Sequence, residues 1–153
     1  MKNTSLLTLL SFLLFSNIIF AQSPTTLAGK SKYMITKTIT SAKYKADGWG
    51  TMPSSSSPSQ GIPDNTRYYK TVSASIMIYG LIIYNKNGIA WLEEMTMPVS
   101  WLTSQVKENN KYIKTGEFSW YAYKDGKRID IEIRDVNNKT FKINYSRLDL
   151  MDK

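Results

Sequence analysis

The stretch from Glu117 to Arg134, centred on Asp125-Gly126, constrains the fold more than any other part of the chain. Asp-Gly between two alternating segments signals a two-residue hairpin, because both turn residues take positive φ and their twist matches that of the flanking strands. Counting outward from the turn pairs Ala122 with Ile129, Trp120 with Ile131 and Phe118 with Ile133, so one face is wholly apolar. The other face pairs Tyr123 with Arg128, Tyr121 with Asp130, Ser119 with Glu132 and Glu117 with Arg134, and reads as a solvated or ligand-facing surface.

The neighbouring segments extend the same logic. After Val136, a two-residue Asn137-Asn138 turn would set Ile133 against Lys142, on the wrong side. A loop of odd length, Asn137 to Lys139, sets Ile133 against Ile143 and Ile131 against Tyr145, and predicts Asn138 or Lys139 in a left-handed conformation. Upstream, Ile76 to Tyr84 is apolar on both parities, which predicts cover on both faces, with Gly80 as a bulge or bend. Asn87-Gly88 then signals another two-residue turn, and counting from it sets Glu93 opposite Ile82 and Glu94 opposite Leu81. Tyr33 to Lys45, rich in Thr, Ile and Tyr, reads as a strand of mixed faces. Pro98 suits the first turn of a helix carrying Trp101, Leu102, Gln105 and Val106 on one stripe, which Asn109 and Asn110 end. No internal repeat is visible in the sequence. The expected fold is mainly β, a β-dominated α+β class: an antiparallel meander of about six or seven strands forming a curved sheet, half-barrel or partial sandwich with one short helix.

Lys2, the apolar run Leu6 to Phe20 and the small residue Ala21 form a secretory signal pattern, so residues 1–21 are expected to be cleaved and 22–153 to fold as a single β-rich domain. The run is too short to span a bilayer and Ser11, Ser16 and Asn17 interrupt it, so no transmembrane segment is expected in the mature chain. With no Cys to receive a lipid, the product is expected to be secreted or periplasmic. Within the domain, residues 47–65 hold Gly48, Gly50, Pro53, Pro58, Gly61, Pro63 and a serine run, longer than compact domains usually accommodate. They read as a flexible insertion or a functional lid, with Trp49 at a docked or ligand-facing base.

A chain with no Cys and no His cannot build a Ser-His-Asp triad, a thiol nucleophile, an imidazole metal site or a His-ligated haem. No cofactor or metal is expected; the spaced acids of a calcium loop are missing as well. Glu93 and Glu94 are weak catalytic candidates, since adjacent strand residues point to opposite faces and cannot act together on one substrate. The formal charge of +8 favours anionic partners, with nucleic acid set aside for an exported chain. Ten Tyr are the unusual feature, because a ring with a polar tip suits sugar stacking and interface contacts. Tyr68, Tyr69, Tyr121 and Tyr123, with Arg128, Asp130 and Trp49, are the candidate binding residues. The leading expectation is a non-enzymatic binding module for an envelope or extracellular protein or an anionic polysaccharide. The alternatives are a carrier of an apolar or lipid ligand lined by Ile78, Ile82, Phe118, Trp120, Ile131 and Ile133, and a carboxylate-dependent hydrolase or lyase.

Overall fold

A computed structural model describes residues 23–40, 50–51, 65–73 and 76–152. The expected signal peptide and most of the 47–65 segment, Trp49 included, lie outside them. Antiparallel strands β1 (Gly50–Thr51), β2 (Thr66–Ser73), β3 (Ile76–Tyr84), β4 (Ala90–Pro98), β5 (Ile113–Gly116), β6 (Ser119–Lys124), β7 (Lys127–Arg134) and β8 (Thr140–Ser146) form one unclosed, curved sheet in the order β1-β2-β3-β4-β8-β7-β6-β5. Seven are full strands and β1 is a two-residue edge, so the mainly β expectation holds. Among the described residues two α-helices stand where one was expected: α1 (Lys32–Thr40) and α2 (Leu102–Asn109), the second entered through a 3-10 turn at Val99–Trp101 that follows Pro98.

Helix α1 replaces the strand expected at Tyr33 to Lys45; residues 41–45 lie outside the described part. The reason is geometric. In a strand, Ile35 and Ile39 would share their face with Lys37, whereas at helical spacing the two isoleucines stack one turn apart and Lys37 turns to solvent. Both isoleucines are buried against the sheet, and that burial outweighs the strand preference of Thr and Ile.

Among the described residues the chain follows one pattern twice: a helix and then four strands, with the last strands of the two halves, β4 and β8, paired antiparallel at the centre. No internal repeat in the sequence matches this topological one. Both helices cover the same sheet face. Under α1 lie Tyr69, Ile82, Tyr84 and Ala90; against Trp101, Leu102 and Val106 of the second half pack Trp120, Ile131, Ile133, Phe141 and Ile143. Residues 23–31 run between them as a strap, with Leu27 packed into the first cluster and Ala28 into the second. Gly29 and Lys30 exchange backbone hydrogen bonds with Ala90 at 2.7 and 2.9 Å.

Register follows the hydrophobic pattern even where the turns do not. β6 pairs with β7 as counted, Ser119 with Glu132 through Lys124 with Lys127, around Asp125 at φ 52° and Gly126 at φ 71°. β7 meets β8 with Ile133 opposite Ile143 and Ile131 opposite Tyr145. The left-handed residue of that connection is Asp135, at φ 52°, and not Asn138 or Lys139. Asn137 Oδ1 accepts from the Lys139 and Thr140 amides at 2.9 Å, a side-chain turn that removes the need for a left-handed residue there.

The β3–β4 connection differs from the two-residue turn and still yields the counted pairs. Only Gly88 has positive φ, and the loop closes from Asn85 to Ile89, with the Asn85 amide donating to the Ile89 carbonyl at 2.9 Å. This puts Tyr84 opposite Ala90, one residue out of the counted register. A bulge at Trp91 then restores Ile83 to Leu92, Ile82 to Glu93 and Leu81 to Glu94. Gly80 is no bulge, since it pairs regularly with both Tyr69 and Met95. Its role is close approach: a Cβ there would stand 2.1 Å from the Tyr69 ring.

Candidate binding face

Cover on both faces of β3, expected from its composition, is found on one. Opposite the helices, the pairing rows Tyr68–Leu81–Glu94–Asn144–Glu132–Ser119 and Thr66–Ile83–Leu92–Ser146–Asp130–Tyr121 share the other face of the sheet. No described helix covers it. The 3-10 turn Leu148–Leu150 packs against β4 at the margin of this face, where Leu92 is buried. Tyr79 and Tyr68 are 48% and 42% exposed, against 0% for Tyr69, the neighbour of Tyr68 in sequence.

At the β6–β7 end, Tyr121 and Tyr123 stand edge to face, with ring centroids 5.8 Å apart and an interplanar angle of 89°. The Arg128 guanidinium lies 4.4 Å from the Tyr121 ring centroid, and its Nε and Nη2 donate to Asp130 Oδ1 at 2.8 and 2.5 Å. The side chain is therefore held by a cation–π contact and a carboxylate at once. Tyr123, Lys127, Arg128, Asp130, Leu148 and Asp149 border a groove of about 570 Å³. Aromatic edge, fixed charges and an apolar floor residue thus meet at one end of the uncovered face.

The middle of the face is an ion network. Glu94 is bridged by Lys142 Nζ at 3.1 Å and Arg134 Nη2 at 3.3 Å, and Lys142 also reaches Asp135 at 3.2 Å. With the Asn144 amide nitrogen turned to Glu94, it donates there at 3.2 Å while its oxygen accepts from Arg134 Nε at 2.8 Å. Glu94 and Asp135 hold the Lys142 ammonium above its ordinary pKa, chiefly through these hydrogen bonds. Each charge in this patch is already partnered within the sheet.

Glu93 points the other way. It is 2% exposed, and it accepts from Tyr69 Oη at 2.6 Å, Thr26 Oγ1 at 2.6 Å and the Leu27 amide at 2.7 Å. Three neutral donors satisfy the carboxylate, and they fix the strap to the sheet. Burial first, then Glu93, pushes the Tyr69 phenol well above its ordinary pKa. Tyr69 is thereby placed in the core and away from the Tyr68 patch. The residues proposed to line an apolar ligand site meet the same fate: Ile78, Ile82, Trp120, Ile131 and Ile133 are buried, and Phe118 packs against the cluster of Trp120, Ile131 and Ile133, on the face that α1, α2 and the strap occupy.

No protein-family model, curated protein or solved structure matches the chain. The site is read from its own residues. Of the sequence candidates, Tyr121, Tyr123, Arg128 and Asp130 are brought together, Tyr68 shares their face four strands from β7 and five from β6, and Glu93, Glu94 and Tyr69 are not part of the cluster. Leu148 and Asp149 were missed, because a short 3-10 turn after the last strand has no periodic signal. Tyr79 was legible: it has the parity of Leu81, which pairs with Tyr68.

Proposed function

We propose that the protein is an exported, non-enzymatic binding module that grips an envelope or extracellular protein or an anionic polysaccharide through the Tyr121–Tyr123 end of its uncovered sheet face. One observation carries this reading: Arg128 is stacked on Tyr121 and tied to Asp130 beside a groove, so the polar and aromatic groups are oriented before any ligand arrives. Preorganised groups lose little conformational freedom on binding, which favours affinity. A sugar ring or partner side chain can stack on Tyr123 while Arg128 and Lys127 orient its acidic or hydroxyl groups. Catalysis is disfavoured because Glu93 is sealed and fully bonded and Glu94 is locked between two cations.

The test is the double variant Tyr121→Ser with Tyr123→Ser, assayed on arrays of acidic and neutral glycans and against isolated envelope proteins. Partner binding should fall with thermal unfolding unchanged, and wild-type binding should weaken as salt rises. Unchanged binding, or a loss of binding that tracks a loss of fold, would remove the site.

A further inference from the structure

A second, smaller cavity lies on the opposite side of the same hairpin, and its chemistry is cationic. It holds about 130 Å³ and is lined by Gly29, Lys30, Lys124, Asp125, Ile129 and Arg147. That is the liquid volume of about four waters, enough for one tetrahedral anion or a carboxylate. Three chain segments supply the cations: the strap, the end of β6 and the residue after β8.

The backbone of each is held in place by the fold. Asp149 engages Arg147 through Nε at 2.7 Å and Nη2 at 2.8 Å, which fixes the plane of the guanidinium. Its Nη1 lies against Gly29, where a Cβ would come within 3.0 Å. Gly29 is at φ +86°, so the glycine serves both the turn and the close approach of the guanidinium. Lys124 is half-buried, and its Nζ has only a long contact, 3.5 Å, to the Thr26 carbonyl. Lys30 and Lys124 border the same cavity, and burial and then the charge of Lys30 lower the Lys124 pKa. Asp125 offsets this from the turn. Among the described residues neither Lys30 nor Lys124 forms an ion pair.

We propose that this pocket binds a single oxyanion group, a phosphate, sulfate or carboxylate, between Lys30, Lys124 and Arg147. The anion would supply the direct ion-pair partner that neither lysine has, accepting from two ammonium groups and the outer edge of a guanidinium. The site lies across the hairpin from the tyrosine face and shares with it only Asp149, which fixes Arg147, so Lys30 and Lys124 test it without touching the tyrosine groove. It also joins the strap to the sheet, so that an anion bound there would hold residues 28–30 against the β6–β7 hairpin.

The experiment is a titration of the purified protein with sodium phosphate against sodium chloride at equal ionic strength, followed by amide chemical shifts. A parallel arm measures sedimentation with phosphatidylglycerol vesicles, which tells a headgroup phosphate from the free ion. Saturable shifts at Gly29 and Lys30, weakened about tenfold or more by Lys124→Gln or by Lys30→Gln and unchanged by Lys114→Gln, are expected for the free ion. Vesicle binding lost in the same two variants and kept in Lys114→Gln would assign the site to a headgroup. Should Lys124→Gln unfold, Lys30→Gln carries the test alone. Shifts that never saturate, or phosphate and vesicle binding equally indifferent to all three substitutions, would overturn the proposal.

Discussion

Tyr69 donates its phenolic hydroxyl to Glu93 at 2.6 Å across a strand to which neither belongs. Tyr69 is on β2 and Glu93 on β4, and the intervening β3 residue beneath the ring is Gly80. Any side chain at that position would block the reach. The missing Cβ, the buried carboxylate and the strap at Thr26 and Leu27 therefore form one cooperative unit in the first half of the sheet.

Gly80→Ala tests the close approach directly. The added methyl would meet three ring carbons at 2.1 to 2.6 Å, so the ring must move and its bond to Glu93 must lengthen or break. Overpacking alone is expected to destabilise by about 1–3 kcal/mol, read from the urea midpoint. A neutral outcome would mean that the ring has room elsewhere.

A double-mutant cycle of Tyr69→Phe and Glu93→Gln measures the pair. Each single change should cost about 1.5–3 kcal/mol, the range for a hydrogen bond to a charged group, and the two should be clearly non-additive. Glu93→Gln should also loosen the strap, because the Leu27 amide then donates to a neutral amide oxygen at best and no longer to a carboxylate. Faster hydrogen exchange at Leu27 in that variant is the specific readout.

Stability should fall on the alkaline side. Burial raises the phenol pKa of Tyr69, Tyr84, Tyr112 and Tyr145 above the ordinary value, with Glu93 adding to the effect at Tyr69 and Tyr145. A group whose folded pKa is raised contributes stability that is complete below its unfolded pKa and lost as pH rises beyond it, here from about 10 upward. The urea midpoint should therefore drop between about pH 9 and pH 11, with these phenols ionising only as the protein unfolds. A flat midpoint would refute the linkage.

Gly126→Val should weaken the β6–β7 hairpin by about 1–2 kcal/mol, since φ 71° is costly for a β-branched residue. Thermal unfolding reports it. The same change should disturb the groove at Lys127 and Arg128, lowering partner binding beyond what the stability loss explains.

Export predicts a defined product. Mass spectrometry of the protein from its natural producer should find Gln22 at the amino end, and a chain still beginning at Met1 in the membrane fraction would contradict cleavage.

Strand pairing was legible in the sequence because parity is a strict, local code: a register slip by one would have exposed Ile129, Ile131 and Ile133 and buried Arg128, Asp130 and Glu132. The same code survived a misread turn at Asn85 to Ile89, where the bulge at Trp91 restored the counted pairs Ile83–Leu92, Ile82–Glu93 and Leu81–Glu94. From that register alone Tyr121, Tyr123, Arg128 and Asp130 fall on one face. What the sequence could not reveal is which face would be covered, since β3 is apolar on both parities and only the placement of α1 and α2 on one side leaves Tyr68 and Tyr79 to solvent. Helix α1 itself was decided by packing, as Ile35 and Ile39 satisfy either period until a sheet stands beneath them. Tertiary structure likewise decided the fate of Glu93, because its partners Tyr69 and Thr26 lie 24 and 67 residues away and no local pattern brings them together.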